Sequence, residues 1–155
     1  MECYSCMSIS GERRISPGPT IYEGKYWYVE HAYPVRMKGW LVLVLKRHAE
    51  ALHELSSEEC VELGVLQGAV AKLLHAEMGT QKEYTMCFAE AEYFNHIHFH
   101  IVAKAHDLPH ELRGPRIFAM LKTDEGEPLT PEEIAEYCNL LKSKLRAPNK
   151  TSLHG

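Results

Sequence analysis

Three of the ten histidines of this 155-residue chain fall within five residues. Between Asn95 and Val102, the imidazoles of His96, His98 and His100 alternate strictly with apolar side chains. Successive side chains of a β-strand point to opposite faces, so this alternation predicts a strand whose apolar face enters the core. Its other face would carry imidazoles about 6–7 Å apart. A solvated strand face more usually carries Lys, Glu or Thr, so the row indicates catalysis or metal ligation.

Two kinds of chemistry suit such a row. Neutral imidazole is a common metal ligand. Imidazole nitrogen also attacks phosphorus near neutral pH and forms a labile phosphoramidate, which divides one difficult displacement into two steps. A flanking imidazolium could then hold the anionic phosphate oxygens.

A second candidate motif is the C-x-x-C formed by Cys3 and Cys6. A redox motif of this spacing needs a preceding β-strand, for which there is no room here, so the pair predicts a metal site. The chain has five cysteines, and this odd number argues against a complete disulfide framework. The remaining three, Cys60, Cys87 and Cys138, lie in apolar segments and are predicted to be buried, inert thiols.

Composition excludes several classes of protein. The chain is 45% hydrophobic and 25% charged, as globular chains are, which rules out disorder and collagen-like structure. The net charge is -4 and no basic patch is visible, so a nucleic-acid partner is not expected. The longest apolar run, Trp40 to Leu45, is too short to span a membrane. The N-terminus lacks a signal pattern, which predicts a cytoplasmic protein.

Hydrophobic patterning and capping signals predict one α+β domain. Strands are expected at residues 20–22, 26–29, 40–45, 84–88 and 96–103. Capping boxes at Ser56–Glu59 and Thr130–Glu133 open a long helix and a C-terminal helix, which end near Gly79 and Leu145. Residues 1–19 form the predicted metal-binding segment, residues 20–105 the core, and residues 106–155 a C-terminal extension.

The string from His96 to Val102 fits the pattern H-φ-H-φ-H-φ-φ, where φ is apolar. It resembles the signature of the histidine-triad (HIT) superfamily of nucleotide hydrolases and transferases. The segment from Gly39 to His48 is similar to the G-H-x-L-V…K-x-H strand of that family, and the cysteine pair resembles one in many bacterial members. The chain thus looks like a prokaryotic, zinc-containing branch. This resemblance implies an antiparallel sheet of about five strands with one long helix packed on it, usually in a homodimer.

The resemblance also implies residue roles. The middle histidine, His98, would be the nucleophile toward the α-phosphate of a nucleoside phosphate, a dinucleoside polyphosphate or a nucleoside phosphoramidate. The last, His100, would contact that phosphate. A structural zinc would be held by two thiolates and two imidazoles, a closed tetrahedral set. Its implied ligands are Cys3, Cys6, His48 and His96.

The chain departs from the family pattern at three places. Trp40 stands where members have a histidine after glycine, and we expect it to pack or to stack on a base. Glu92 and Tyr93 replace the Gln and Ser or Thr that donate to phosphate, although Tyr93 retains a hydroxyl donor. The residue that holds the ribose hydroxyls has no evident match, and Glu30 or His31 could substitute for it.

Two other interpretations stay open. One is a non-catalytic nucleotide-binding regulatory module that retains a structural zinc. The other is a metalloenzyme in which all three histidines of the row bind one ion, which is awkward because metal ligands normally converge from several elements. The sequence leaves open the nucleobase, the leaving group, and whether water or another acceptor takes the nucleotidyl group.

Overall fold

The computed structural model describes residues 2–145, and the predicted C-terminal extension therefore continues beyond the described residues at 146–155. The regular elements are helix α1 (Tyr4–Ser10), strands β1 (Tyr22–Glu23), β2 (Trp27–His31) and β3 (Trp40–Leu45), helix α2 (Ser57–Met78), strands β4 (Lys82–Met86) and β5 (His98–Lys104), and helix α3 (Pro131–Lys144). Short 3-10 helices lie at Leu52–Glu54, His110–Leu112 and Gly114–Leu121. None of the helices described is both long and apolar enough to cross a bilayer.

The five strands form one antiparallel sheet in the order β1-β2-β3-β5-β4. The predicted α+β class and five-stranded sheet are thus confirmed. In the central pairing of β3 with β5, Val42 lies opposite His100 and Val44 opposite His98. Because side chains alternate along each strand, these four residues share one face of the sheet.

The opposite face of the sheet is the core side. Trp27 of β2 packs edge-on against Phe99 of β5 there, and its indole N–H donates to the carbonyl of Glu59 in α2 at 2.9 Å. Helix α2 buries Leu66 and Val70, among others, and α3 packs beside it against β2. Helices therefore cover one face, which leaves the histidine face to the N-terminal segment and the 3-10 helix Gly114–Leu121.

Both capping boxes form as predicted. Ser56 accepts from the Glu59 amide while Glu59 accepts from the Ser56 amide, and Thr130 and Glu133 do the same for α3. Gly79 ends α2 in the left-handed conformation, with a φ of 61°. These local signals succeed because each depends only on residues three or four apart.

Several expectations need correction. The strand that carries the histidines was predicted to begin at residue 96. In the structure β5 begins at His98, so His96 lies before it. Strand β3 is apolar throughout, yet its Val42 and Val44 are half-buried and line a cavity. Helix α1 was not predicted. The Cys3 sulfur caps its N-terminus by accepting a hydrogen bond from the Cys6 amide.

The three isolated thiols also differ from expectation. Cys138 is buried, as predicted, and burial raises its pKa to about 11. Cys87 is only half-buried, and Cys60 is exposed on the solvent side of α2. Apolar neighbours in sequence misled the prediction because adjacent residues of a helix point in different directions.

Candidate active site and metal cluster

A cavity of about 520 Å³ lies over the histidine face of the sheet. Its floor includes Val42 and Val44 of β3 beside His98 and His100 of β5. Most of the wall is apolar, and several of its polar side chains come from residues 5–20. The wall residues from that segment are Ser5, Ser8, Ile9, Arg14, Ile15, Ser16 and Thr20. The volume falls in the range of small-molecule sites, about 300–1,000 Å³.

The ring of His98 has a defined tautomer. Its Nδ1 lies 2.7 Å from the backbone carbonyl oxygen of His96. A carbonyl oxygen only accepts, so Nδ1 carries the proton and Nε2 keeps its lone pair. Burial lowers the pKa of His98, which favours this neutral form. The arrangement provides an unprotonated imidazole nitrogen at the cavity.

His100 has the opposite arrangement. The indole N–H of Trp40 donates to its Nδ1 at 2.9 Å, so in the neutral ring the proton sits on Nε2. Burial, and secondarily the neighbouring His98, lower the pKa of His100 to about 4. This pKa favours a neutral His100 at pH 7 in place of the flanking imidazolium considered from the sequence. His100 is a neutral hydrogen-bond donor whose ring centroid lies 5.0 Å from that of His98.

Sequence reasoning did not identify Trp40 as a site residue. Its side chain has no solvent exposure, so it packs, as one expectation held, and cannot stack on a bound base. It contacts Phe118 edge-on, and Phe118 contacts His100 in the same way. The signal in the sequence was its position at the start of β3, two residues before Val42, on the face that carries the imidazoles.

The four expected metal ligands come together. Their ligand atoms lie within 4.8 Å of one another in the cluster of Cys3, Cys6, His48 and His96. The Cys6 sulfur is 3.4 Å from Nδ1 of each imidazole, and the Cys3 sulfur is 3.6 Å from Nδ1 of His96. A tetrahedral zinc with Zn–S near 2.3 Å and Zn–N near 2.0–2.1 Å would space sulfur and nitrogen about 3.5 Å apart. The geometry of this cluster fits zinc.

The far side of each imidazole supports the same assignment. Nε2 of His96 donates to the carbonyl of Leu45 at 2.6 Å, and Nε2 of His48 donates to the carboxylate of Glu50 at 3.1 Å. Metal-binding histidines typically have such acceptors on the nitrogen that does not ligate, because the acceptors fix the tautomer. Burial and the adjacent Cys3 raise the pKa of Cys6 to about 11, a cost that the charge of a bound cation would offset.

The cluster and the cavity share helix α1. Cys3 and Cys6 lie at its start, whereas Ser5, Ser8 and Ile9 line the cavity. The two sites are therefore built on the same seven-residue element.

Glu92 and Tyr93 do not reach the cavity. Glu92 is exposed, and the ring of Tyr93 stacks on Tyr4 with centroids 4.7 Å apart. The Tyr93 carbonyl also accepts from the Tyr4 amide at 3.0 Å, which ties this bend to α1. Their neighbours Ala91 and Phe94 line the cavity instead.

Strand alternation separates Glu30 from His31. Glu30 lies opposite Val42, on the cavity face, where its carboxylate accepts from Arg14 at 2.8 Å and from Thr20 at 2.7 Å. His31 contributes to the cavity wall, but its ring packs edge-on against Tyr137 of α3. The polar end of the cavity is thus built from Glu30 and its two partners, of which Arg14 and Thr20 were not expected.

The chain is similar in sequence to a known protein. The chain is 29% identical over 109 residues to an adenosine 5′-monophosphoramidase of Schizosaccharomyces pombe, an alignment that covers 70% of this chain and 74% of that protein. No protein-family model matches the chain.

Solved structures share the fold. A zinc-bound histidine-triad family protein from Mycobacterium smegmatis superposes with a TM-score of 0.64 at 16% identity, over 92% of this chain and 94% of that one. The diadenosine triphosphate hydrolase of Plasmodium falciparum gives a TM-score of 0.61 at 16% identity, over 80% and 74% of the two chains. The chain therefore has the fold of histidine-triad proteins. The cluster of two thiols and two imidazoles is separate from His98 and His100, the two histidines that face the cavity.

Proposed function

We propose that this histidine-triad protein is a nucleotide hydrolase or nucleotidyl transferase that acts on the α-phosphate of a nucleoside phosphate, a dinucleoside polyphosphate or a nucleoside phosphoramidate. The observation that carries the proposal is the complementary state of two adjacent rings. Nε2 of His98 presents a lone pair to the cavity, whereas Nε2 of His100 presents an N–H. A nucleophile beside a hydrogen-bond donor suits attack on a phosphoryl group.

The first step is attack by Nε2 of His98 on the α-phosphorus. A P–N bond forms, the bond from phosphorus to the leaving oxygen or nitrogen breaks, and the leaving group keeps that electron pair and takes up a proton. His100 donates from Nε2 to a nonbridging phosphate oxygen, which stabilises the charge that develops there. No ionisation of His98 is required, because its neutral form already carries the lone pair.

The second step is attack by water on the nucleotidyl-imidazole. A P–O bond forms, the P–N bond breaks, and water loses a proton. The products are a nucleoside 5′-monophosphate and free His98. Transfer to another acceptor would replace water in this step only, so hydrolase and transferase activities share the same first half.

The proposed structural zinc would be held by Cys3, Cys6, His48 and His96. When bound, the ion joins two thiolates and two imidazoles in a closed site with no position left for substrate. These four residues connect the start of α1 to His96, which lies just before β5. Helix α1 also forms part of the cavity wall. The cluster would therefore act on substrate binding only through the wall.

The nucleoside would occupy the remainder of the cavity. Apolar side chains such as Ile15 and Phe94 suit the faces of a base, and the carboxylate of Glu30 suits sugar hydroxyls. Between the two candidates for ribose, the cavity-facing Glu30 is better placed than the ring of His31.

We also propose a cytoplasmic homodimer. Strand β4 lies at one edge of the sheet, and an edge strand can pair with a strand of a second copy. The resemblance to the superfamily is the main support for this assembly.

The decisive experiment is a screen of adenylyl and guanylyl compounds: dinucleoside polyphosphates, phosphoramidates and nucleotide sugars. The expected result is release of a nucleoside monophosphate by the wild-type protein and none by His98→Asn. Tight binding without release by either protein would instead support the non-catalytic regulatory module.

A further inference from the structure

The hydrogen bond from Trp40 to His100 crosses the central strand pair. Trp40 begins β3, and His100 lies on β5 opposite Val42, so the two side chains are diagonal neighbours on one face. The indole Nε1 and the imidazole Nδ1 are 2.9 Å apart, and the rings are nearly perpendicular, at 85°. Indole N–H is a donor only, so the bond has one possible direction.

Packing holds the indole in this position. Trp40 is completely buried, and Phe118 packs edge-on against both the indole and the imidazole. Gly39 precedes it at a φ of 82°, where a Cβ would lie 2.6 Å from the sulfur of Met78 and 2.9 Å from Cβ of Ala103. The entry into β3 is therefore closely constrained, and the donor cannot turn away from His100 without repacking the core.

The bond restricts His100 to one chemical form. With Nδ1 occupied by a donor, a proton on that atom would confront the indole N–H, so the neutral ring carries its proton on Nε2. Double protonation is disfavoured for the same reason. Burial and the neighbouring His98 act in the same direction on the pKa of His100.

In the described part of the chain, uncharged side chains pack around His100. His98 approaches from the same strand, Trp40 from β3, Met86 from β4 and Phe118 from the 3-10 helix. Across residues 2–145, no carboxylate, lysine or arginine forms a hydrogen bond or an ion pair with the His100 ring.

We propose that Trp40 is a positioning residue that holds His100 in the neutral Nε2–H form, with that donor directed at the cavity. Its role toward phosphate rests on the proposed function, whereas its control of the tautomer does not. The histidine that other members of the superfamily carry at this position is thereby replaced by a group that can donate but never accept or ionise.

The test is nitrogen NMR of substrate-free protein labelled with ¹⁵N-histidine, because imidazole ¹⁵N shifts distinguish the two neutral tautomers and the cation. The His100 signals are assigned by their loss in His100→Gln. In the wild-type protein we expect the Nε2–H tautomer at pH 7 and a neutral ring at pH 5.5. If the wild-type spectrum showed the Nδ1–H tautomer, or a ring already half protonated near pH 6.5, the proposal would be wrong.

Two matched variants separate positioning from packing. Trp40→Phe keeps an aromatic ring but removes the N–H, and we expect mixed tautomers and protonation of His100 at a higher pH. Trp27→Phe makes the same change at an equally buried tryptophan on the opposite face, whose N–H bonds the Glu59 carbonyl. It should lower stability but leave the His100 signals unchanged. Equal effects of both variants on His100 would contradict a specific role for Trp40.

A kinetic measurement completes the test once a substrate is known. Trp40→Phe should lower kcat by about 10-fold or more, with a smaller change in KM, because the wrong tautomer removes the donor rather than the pocket. The acid limb of its pH–rate profile should move to higher pH. If no compound is turned over, the proposed function is wrong. The NMR experiment still tests the role of Trp40, because it needs no substrate.

Discussion

His98 donates from Nδ1 to the carbonyl oxygen of His96 at 2.7 Å, and these two residues belong to different sites. The ring of His96 faces the cysteines, and its own Nε2 donates to the carbonyl of Leu45 at 2.6 Å. The backbone carbonyl of His96 therefore links the proposed metal cluster with His98, the proposed nucleophile. The orientation of His98 depends on the backbone of His96, not on its ring.

His98→Asn should lose turnover by several orders of magnitude, because it removes the proposed covalent nucleophile while Asn preserves size and polarity. Fold and metal content should stay unchanged. The measurement is single-turnover kinetics with an α-labelled substrate, followed by a quench that avoids acid. Label should appear on the peptide that contains His98.

The control for this variant is His53→Asn, which changes an exposed histidine of the 3-10 helix Leu52–Glu54 and should behave as wild type. His98→Gly is expected to regain some activity with added imidazole. Label on His100, or near-normal turnover by His98→Asn, would show that the roles are misassigned.

Replacing both Cys3 and Cys6 with serine should abolish binding of one zinc per chain. Serine is a far poorer zinc ligand than thiolate, and the remaining two imidazoles do not complete a tetrahedral set. Thermal unfolding should occur at lower temperature, because the free energy of metal binding is part of the free energy of folding. Elemental analysis of protein purified without added metal measures the occupancy.

Cys60→Ser provides the matched control, since that thiol is exposed and lies outside the cluster. It should retain zinc and stability. The site would be refuted by wild-type protein without zinc, or by unchanged zinc content in the double variant.

The free energy of unfolding should fall as the pH drops from about 6.5 toward 4. His100 has a folded-state pKa of about 4 against an ordinary value of 6.5, so between these values the unfolded chain binds a proton that the folded chain does not. Its contribution is fully present above pH 6.5, is lost through this window, and amounts to about 3 kcal/mol at most.

Urea unfolding at pH 7 and pH 5 measures this dependence. His100→Gln should show a smaller loss between the two pH values than wild type, whereas His53→Gln should match wild type. An equal loss in all three proteins would mean that His100 is not the source.

The protein should be a homodimer in solution. Strand β4 forms one edge of the sheet, and a second copy could extend the sheet there. Light scattering should give twice the chain mass of 17.7 kDa. A mass equal to that of one chain at micromolar concentration would disprove this assembly.

The features that were predictable from sequence are those with short-range causes. The placement of His98 and His100 on one face follows from the two-residue period of a strand, and the start of α2 follows from Ser56 and Glu59. The gathering of the four proposed metal ligands could be predicted only through the family resemblance, because Cys6 and His96 are 90 residues apart.

The features that could not be predicted from the sequence depend on strand register and on long-range packing. The bond from Trp40 to His100 exists because β3 pairs with β5 in one register, and a shift of one residue would put the indole on the opposite face. Tyr93 was expected near the phosphate, yet its ring stacks on Tyr4 of a helix that no sequence signal had indicated. Arg14 was missed because its partner, Glu30, is 16 residues away.

The chain has two tryptophans, and they lie on opposite faces of the sheet. Trp27→Phe therefore leaves Trp40 as the single indole fluorophore, hydrogen-bonded to His100. A neighbouring imidazolium quenches indole emission far more strongly than neutral imidazole does. The emission intensity of this variant should thus follow the charge of His100 and should respond when a ligand fills the cavity. The protein carries an optical reporter of its proposed active site, which needs no added dye and no labelled substrate.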